Sequence, residues 1–108
     1  MIVYITGPTD NLENDNLTEF QSFKNIVKGF DHHAVIPHDL IKTLDTKDFE
    51  STEYLKEGLK NLLDADMVIT LSNWHNSKRA VTEVNTARVA DIEVVHFTQF
   101  KYHLSCLQ

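Results

Sequence analysis

Short apolar runs alternate along this chain with segments in which apolar positions recur every three or four residues, the pattern of βαβ units that build a parallel sheet covered by helices. The first run, Ile2 to Thr6, is unbroken, as expected of a central strand buried on both faces. Gly7-Pro8 stops it, and a polar loop through Asp10, Asn11 and Asn14 leads to a helix with Leu17, Phe20, Phe23, Ile26 and Val27 on one stripe, expected to end at Gly29. Ala34 to Ile36 predicts a short second strand, with Pro37 closing it or confined to an edge. From His38 to Glu50 no period is clear: the segment is either a functional loop or, around Leu40, Ile41 and Leu44, a helical turn.

Ser51 is placed to cap a helix carrying Tyr54, Leu55, Leu59, Leu62 and Leu63 at helical spacing, and Met67 to Leu71 follows as the third strand. A polar loop, Ser72 to Asn76, has Trp74 at its centre. Ser77 then opens a helix with Ala80, Val81, Val84, Ala87 and Val89; Glu93 to Phe97 is the fourth strand, and Phe100 to Leu107 a short closing helix. The expected architecture is one α/β domain over residues 1–108, flavodoxin- or Rossmann-like, with four parallel strands in the order 2-1-3-4 and helices on both faces. That order puts a topological switch between the first and third strands, so the loops after Thr6 and Leu71 should meet where ligands bind.

Composition narrows the partners. Ten basic against sixteen acidic side chains leave a net charge of −6, which repels a phosphodiester backbone and argues against duplex nucleic acid. One phosphate bound by backbone N–H groups at a helix N-terminus is still compatible. Cys106 is the only cysteine, so neither an internal disulfide nor a thiolate metal cluster is expected. No run approaches a membrane span and Met1 leads straight into the first strand, so a soluble, cytoplasmic protein is expected. The six histidines lie in four separate elements, and neighbours such as His32 and His33 face opposite sides of a strand, so neither a metal nor another cofactor is expected.

Two loops hold the candidate chemistry. Gly7 allows close approach of a ligand to the backbone or a positive φ, although a simple turn accounts for a lone glycine as well. Ser77 combines a hydroxyl with free helix N–H groups, suited to a phosphate and also to ordinary capping. Glu83 lies ~9 Å further along that helix, so the two would touch different parts of one ligand. An isolated helix glutamate is otherwise a solvated carboxylate.

Tyr4-Ile5-Thr6-Gly7-Pro8, the helix running into Ala65-Asp66, the apolar strand, Trp74, and Ser77 with Glu83 six residues later together resemble the nucleoside 2-deoxyribosyltransferase superfamily. The nearest branch is the small, often phage-borne DUF4406 group, with deoxynucleoside-monophosphate N-glycosidases as relatives; the resemblance covers roughly residues 1 to 97. It implies a flavodoxin-like fold, commonly a homodimer, that cleaves or exchanges the N-glycosidic bond of a nucleoside or nucleotide. Glu83 would be the nucleophile and Tyr4 would position it or the sugar. Thr6, Gly7, Pro8, Ser77, Trp74 and Arg79 would contact the ligand, Trp74 near the pocket mouth, though a packed or exposed loop aromatic explains that residue equally well.

Two positions depart from the family pattern. Gly58 stands where an aspartate would assist sugar binding and base protonation, and Arg79 stands where a glycine would let the substrate approach. Arg79 either binds a phosphate, favouring nucleotides, or pairs with Glu83 four residues on and fills the pocket. His75 is a candidate replacement acid, with an exposed loop histidine the simpler reading. Three functions therefore compete: a nucleotide N-glycosidase or transferase, a silent nucleotide binder, and an acidic module engaging an unidentified basic protein partner.

Overall fold

Strand β1 (Ile2–Thr6) occupies the middle of a four-stranded sheet in the order β2-β1-β3-β4, formed with β2 (His33–Val35), β3 (Met67–Thr70) and β4 (Glu93–His96). All three pairings are parallel: Val3 lies opposite Ala34 on one side and Met67 on the other, and Ile69 lies opposite Val95. The computed structural model describes residues 1–9, 12–100, 102 and 103, and the closing helix expected over 100–107 lies largely outside them.

Strand alternation divides the core into two layers. Val3, Ile5, Met67, Ile69 and Leu71 point to one face and pack with Phe20 and Val27 of α1 (Leu17–Gly29). Tyr4 and Val68 point to the other, against Leu62 of α3 (Thr52–Leu63) and Ala87 of α4 (Lys78–Val89). Val3, Ile5, Ile69 and Leu71 are fully buried, each worth roughly 1.5–3 kcal/mol relative to exposure. Helices therefore cover both faces of the parallel sheet, as the unbroken apolar strands predict.

Several boundaries differ from expectation. The second strand begins one residue earlier than its apolar run, and Pro37 opens a short helix, α2 (Pro37–Ile41), because proline needs no N–H partner in a first helical turn. Leu40, Ile41 and Leu44 thus join a small cluster with Phe49 and Tyr54. Gly29 ends α1, yet the chain reverses at Asp31, whose φ is 64°. There the N–H of His32 donates to Val27 O (3.3 Å) and that of Asp31 to Lys28 O (2.9 Å), a Schellman closure. Asp91 (φ 58°) ends α4 likewise, with Ile92 N–H on Ala87 O at 2.8 Å.

Ser51 and Ser77 are both N-caps: their hydroxyls accept from the N–H groups of Tyr54 and Ala80, each at 3.1 Å. Asp66 lies at the opposite end of the sheet from the loops after β1 and β3, where its carboxylate accepts the Ile2 N–H at 2.8 Å and fixes the start of the central strand.

Candidate functional site

Period 2 along β1 places Tyr4 and Thr6 on the sheet face that α4 covers, and period 3.6 along α4 turns Arg79 and Glu83 inward toward them. All four are buried, and the Glu83 side chain is wholly inaccessible. The Tyr4 hydroxyl donates to Glu83 Oε2, and the Thr6 hydroxyl donates to Oε1 at 2.7 Å. Arg79 Nη1 donates to the same Oε1 at 2.6 Å, while its Nη2 donates to the carbonyl of Gly7, also at 2.6 Å. The ion pair between Arg79 and Glu83, four residues apart on α4, is thus a buried one. Burying both charges costs several kcal/mol per ion unless further hydrogen bonds compensate, and here two hydroxyls and a carbonyl supply them.

Burial, the largest single influence, opposes the charge on Arg79, but Glu83, Tyr54, Tyr4 and Glu50 together outweigh it and hold the guanidinium above its ordinary pKa. Burial, then the Glu83 charge, pushes the Tyr4 phenol well up, and the same two causes raise Tyr54. Both phenols therefore stay protonated, and Tyr4 remains a donor to the carboxylate. The Tyr54 hydroxyl lies 3.4 Å from that of Tyr4, and the Tyr54 ring sits 5.5 Å from the Arg79 guanidinium carbon.

Beyond Arg79 opens a cleft of about 490 Å³ lined by Phe49, Glu50, Ser51, Leu55, Asn76, Ser77, Lys78 and Thr82. Ser77 donates weakly to Glu50 Oε1 (3.5 Å), and Arg79 Nε stands 4.0 Å from that same oxygen with no hydrogen-bond acceptor. The N-terminus of α4 faces this space.

Of the residues singled out from sequence, Tyr4, Thr6, Gly7, Arg79 and Glu83 form one connected network, and Ser77 adjoins it through Glu50 and the cleft. Gly7 serves a purpose unlike the two considered: a Cβ there would stand 2.8 Å from Leu71 Cβ, so glycine lets the ends of β1 and β3 close together. Pro8 is buried behind it and does not line the cleft. Trp74 does not reach the cleft either; it is half-buried in a 3-10 turn (Trp74–Asn76), stacked on an exposed His75 with ring centroids 3.9 Å apart. His75 therefore does not stand in for an acid beside Glu83.

Gly58, treated from sequence only as a missing aspartate, packs directly on the network: a Cβ there would lie 2.9 Å from Glu83 Oε2 and 3.0 Å from the Tyr4 hydroxyl. A glycine inside an otherwise regular helix is the available sequence signal for such an approach. Glu50, Phe49 and Tyr54 were not singled out, and nothing local in the sequence marks them. Among the described residues, no three His, Cys, Asp or Glu side chains gather as a metal site, and no helix is long and apolar enough to cross a membrane. His38 instead packs between the rings of Phe20 and Phe49, at 5.0 and 5.1 Å, and burial lowers its pKa.

Comparison with known proteins agrees with this architecture. The family model described as a domain of unknown function (DUF4406) matches residues 1–96. No functionally curated protein matches the sequence. Among solved structures, the 2-deoxyribosyltransferase of the psychrotolerant bacterium Bacillus psychrosaccharolyticus, a biocatalyst for nucleoside synthesis, superposes with a TM-score of 0.68 at 18% identity, over 89% of this chain and 71% of that one. The 2-deoxyribosyltransferase of Leishmania mexicana gives 0.68 at 15% identity; 89% of this chain matches, spanning only 63% of the Leishmania enzyme. The chain belongs to the DUF4406 family and has the fold of the 2-deoxyribosyltransferases.

Proposed function

We propose that this protein binds a nucleoside monophosphate in the cleft at the start of α4 and cleaves or exchanges its N-glycosidic bond, with Glu83 as nucleophile. The observation that carries this reading is the seat of Glu83, a fully buried carboxylate held by two hydroxyls of the central strand at the topological switch of the sheet. Burying a carboxylate is costly, and a fold gains little stability from it compared with apolar packing. Its retention at a ligand-binding edge, on a fold shared with glycosyl-transferring enzymes, supports a chemical purpose.

In the reaction, a Glu83 oxygen bonds to the anomeric carbon as the carbon–nitrogen bond breaks, and the bonding electrons leave with the base. The base takes a proton from water in the open cleft. Water, or a second base, then attacks the glycosyl ester and restores the carboxylate, giving a free sugar phosphate or a new nucleotide. Tyr4 and Thr6 hold the carboxylate throughout, and Ser77 with the α4 N-terminus binds the phosphate. Base release from a panel of ribo- and deoxyribonucleoside monophosphates tests the reading. Glu83→Gln is expected to lower it by roughly 10³-fold or more with the fold retained; no release from any nucleotide by the folded wild type would overturn it.

Gly58 supports a second reading, a binder that sequesters a nucleotide without turnover, because it stands beside Glu83 at the position where the resemblance implies the aspartate that protonates a departing base. Under it, calorimetry shows binding while chromatography shows no free base, and a ligand at 100 times its Kd stabilises the fold by about 2.7 kcal/mol.

A further inference from the structure

We propose that Arg79 is a phosphate-operated latch: a 5′-phosphate arriving at the N-terminus of α4 draws its guanidinium off Glu83, so that nucleoside monophosphates are accepted and unphosphorylated nucleosides refused. This deepens the reading of Glu83 as a nucleophile and rests on it for its catalytic consequence only.

The donors to Glu83 differ in how readily they can leave. Tyr4 and Thr6 stand on β1, which is hydrogen-bonded on both sides. Arg79 reaches Glu83 from the first turn of α4 along a flexible stem, and its residue also lines the cleft. When it swings outward, Oε1 loses one of its two donors while Oε2 keeps Tyr4. The carboxylate is then held but no longer neutralised, the condition under which it best stabilises positive charge developing at an anomeric carbon.

Three features aim Arg79 at an anion. Its Nε is buried without an acceptor, in a residue only 3% exposed. Lys78 and Arg79 both occupy the first turn of α4, which contains no acid; cations there oppose the helix dipole, and an arriving anion removes the conflict. The third is Glu50, whose Oε1 stands 3.5 Å from the Ser77 hydroxyl and 4.0 Å from Arg79 Nε. A carboxylate from the α2–α3 loop thus faces the two groups that would hold a phosphate. A phosphate dianion offers the guanidinium a bidentate partner with more charge, and repels Glu50 from the same place.

Arg79 is then a specificity residue, and its two states carry opposite consequences. Paired with Glu83 it covers the nucleophile. Paired with phosphate it binds substrate and uncovers the nucleophile in one movement.

The test compares kcat/KM for deoxynucleoside monophosphates and the matching deoxynucleosides in the wild type, Arg79→Lys and Arg79→Ala. The wild type is expected to prefer the monophosphate by roughly 10- to 100-fold, the worth of a charge-assisted bidentate contact. Arg79→Ala should lose most of that preference by gaining on nucleosides as it falls on monophosphates, and Arg79→Lys should lie between. Equal loss on both substrates, or a wild type indifferent to phosphate, overturns the latch.

A second measurement needs no turnover. The Arg79 Nε–H resonance, identified by its disappearance in Arg79→Lys, is followed while deoxyribose 5-phosphate or deoxyribose is added. A shift with the sugar phosphate alone supports the latch even if no base is ever released, in which case only the glycosidase reading falls. No shift with either sugar overturns it.

Discussion

Gly58 and Glu83 approach so closely that a single methyl group on the glycine would stand 2.9 Å from the buried carboxylate. An aspartate there, as the resemblance leads one to expect, would meet both Glu83 and Tyr4 before its own carboxyl group found space. In this chain the missing acid and the tight seating of the remaining one are therefore a single structural fact.

Gly58→Ala should destabilise the protein although alanine is the better helix former by about 1 kcal/mol. The clash falls on an oxygen fixed by Tyr4, in a carboxylate whose other oxygen is fixed by Thr6 and Arg79, so overpacking of about 1–3 kcal/mol should prevail. Urea unfolding measures the sign. An alanine variant more stable than wild type would mean that the carboxylate yields easily.

Removing either partner of the buried ion pair should cost far more than removing both. Glu83→Gln is expected to lose about 3–5 kcal/mol, because Arg79 is left charged and enclosed. Combining it with Arg79→Met should recover a large part of the loss. A double-mutant cycle by thermal unfolding reads the coupling; additive effects would show the pair to be solvated in solution.

Ser77 has two roles that one substitution separates. Ser77→Ala removes the cap from α4 and should cost ~1 kcal/mol, whereas Ser77→Asp keeps a capping oxygen and should return most of it. The aspartate places negative charge in the cleft beside Glu50, so nucleotide binding by calorimetry should fall in both variants, further in the aspartate. Binding that follows stability instead of charge would put the phosphate elsewhere.

Stability should fall at both ends of the pH scale for assignable reasons. Burial raises the phenols of Tyr4 and Tyr54 above the unfolded value near 10, so their contribution is complete below about pH 10 and is lost as pH rises beyond it. Burial depresses His38, so its contribution is complete above about pH 6.5 and is lost as pH falls through its lower folded value. Melting temperatures across the range should decline on both sides, and Tyr54→Phe should flatten the alkaline side. An unchanged alkaline limb in that variant would assign the loss to other groups.

The sheet was legible from the sequence because its information is local: unbroken apolar strands, a capping serine before each long helix of the second layer, and strand order that follows from connection rules. Gly7 and Ser77 were legible as candidates because they flank the switch point, and Tyr4, Thr6, Arg79 and Glu83 because of the family resemblance. The nature of their association was less so. Whether an arginine four residues before a glutamate lies in solvent or in the core depends on what covers it, and here that cover includes Tyr54, itself buried in a cluster with Phe49 and Ile41. The end of α1 at Gly29 was legible, but the reversals that follow α1 and α4 were not: Asp31 and Asp91 adopt left-handed conformations that glycine usually supplies, so the usual marker is missing.

Because Tyr4 and Thr6 belong to a strand paired on both sides with long-range partners, the cradle of the carboxylate can dissolve only when the sheet around it opens. The guanidinium beneath the cleft is bound by no such condition, since the turn that carries it borders solvent. Mutational drift can therefore retune what the protein recognises by altering the arginine, without loosening the cradle itself.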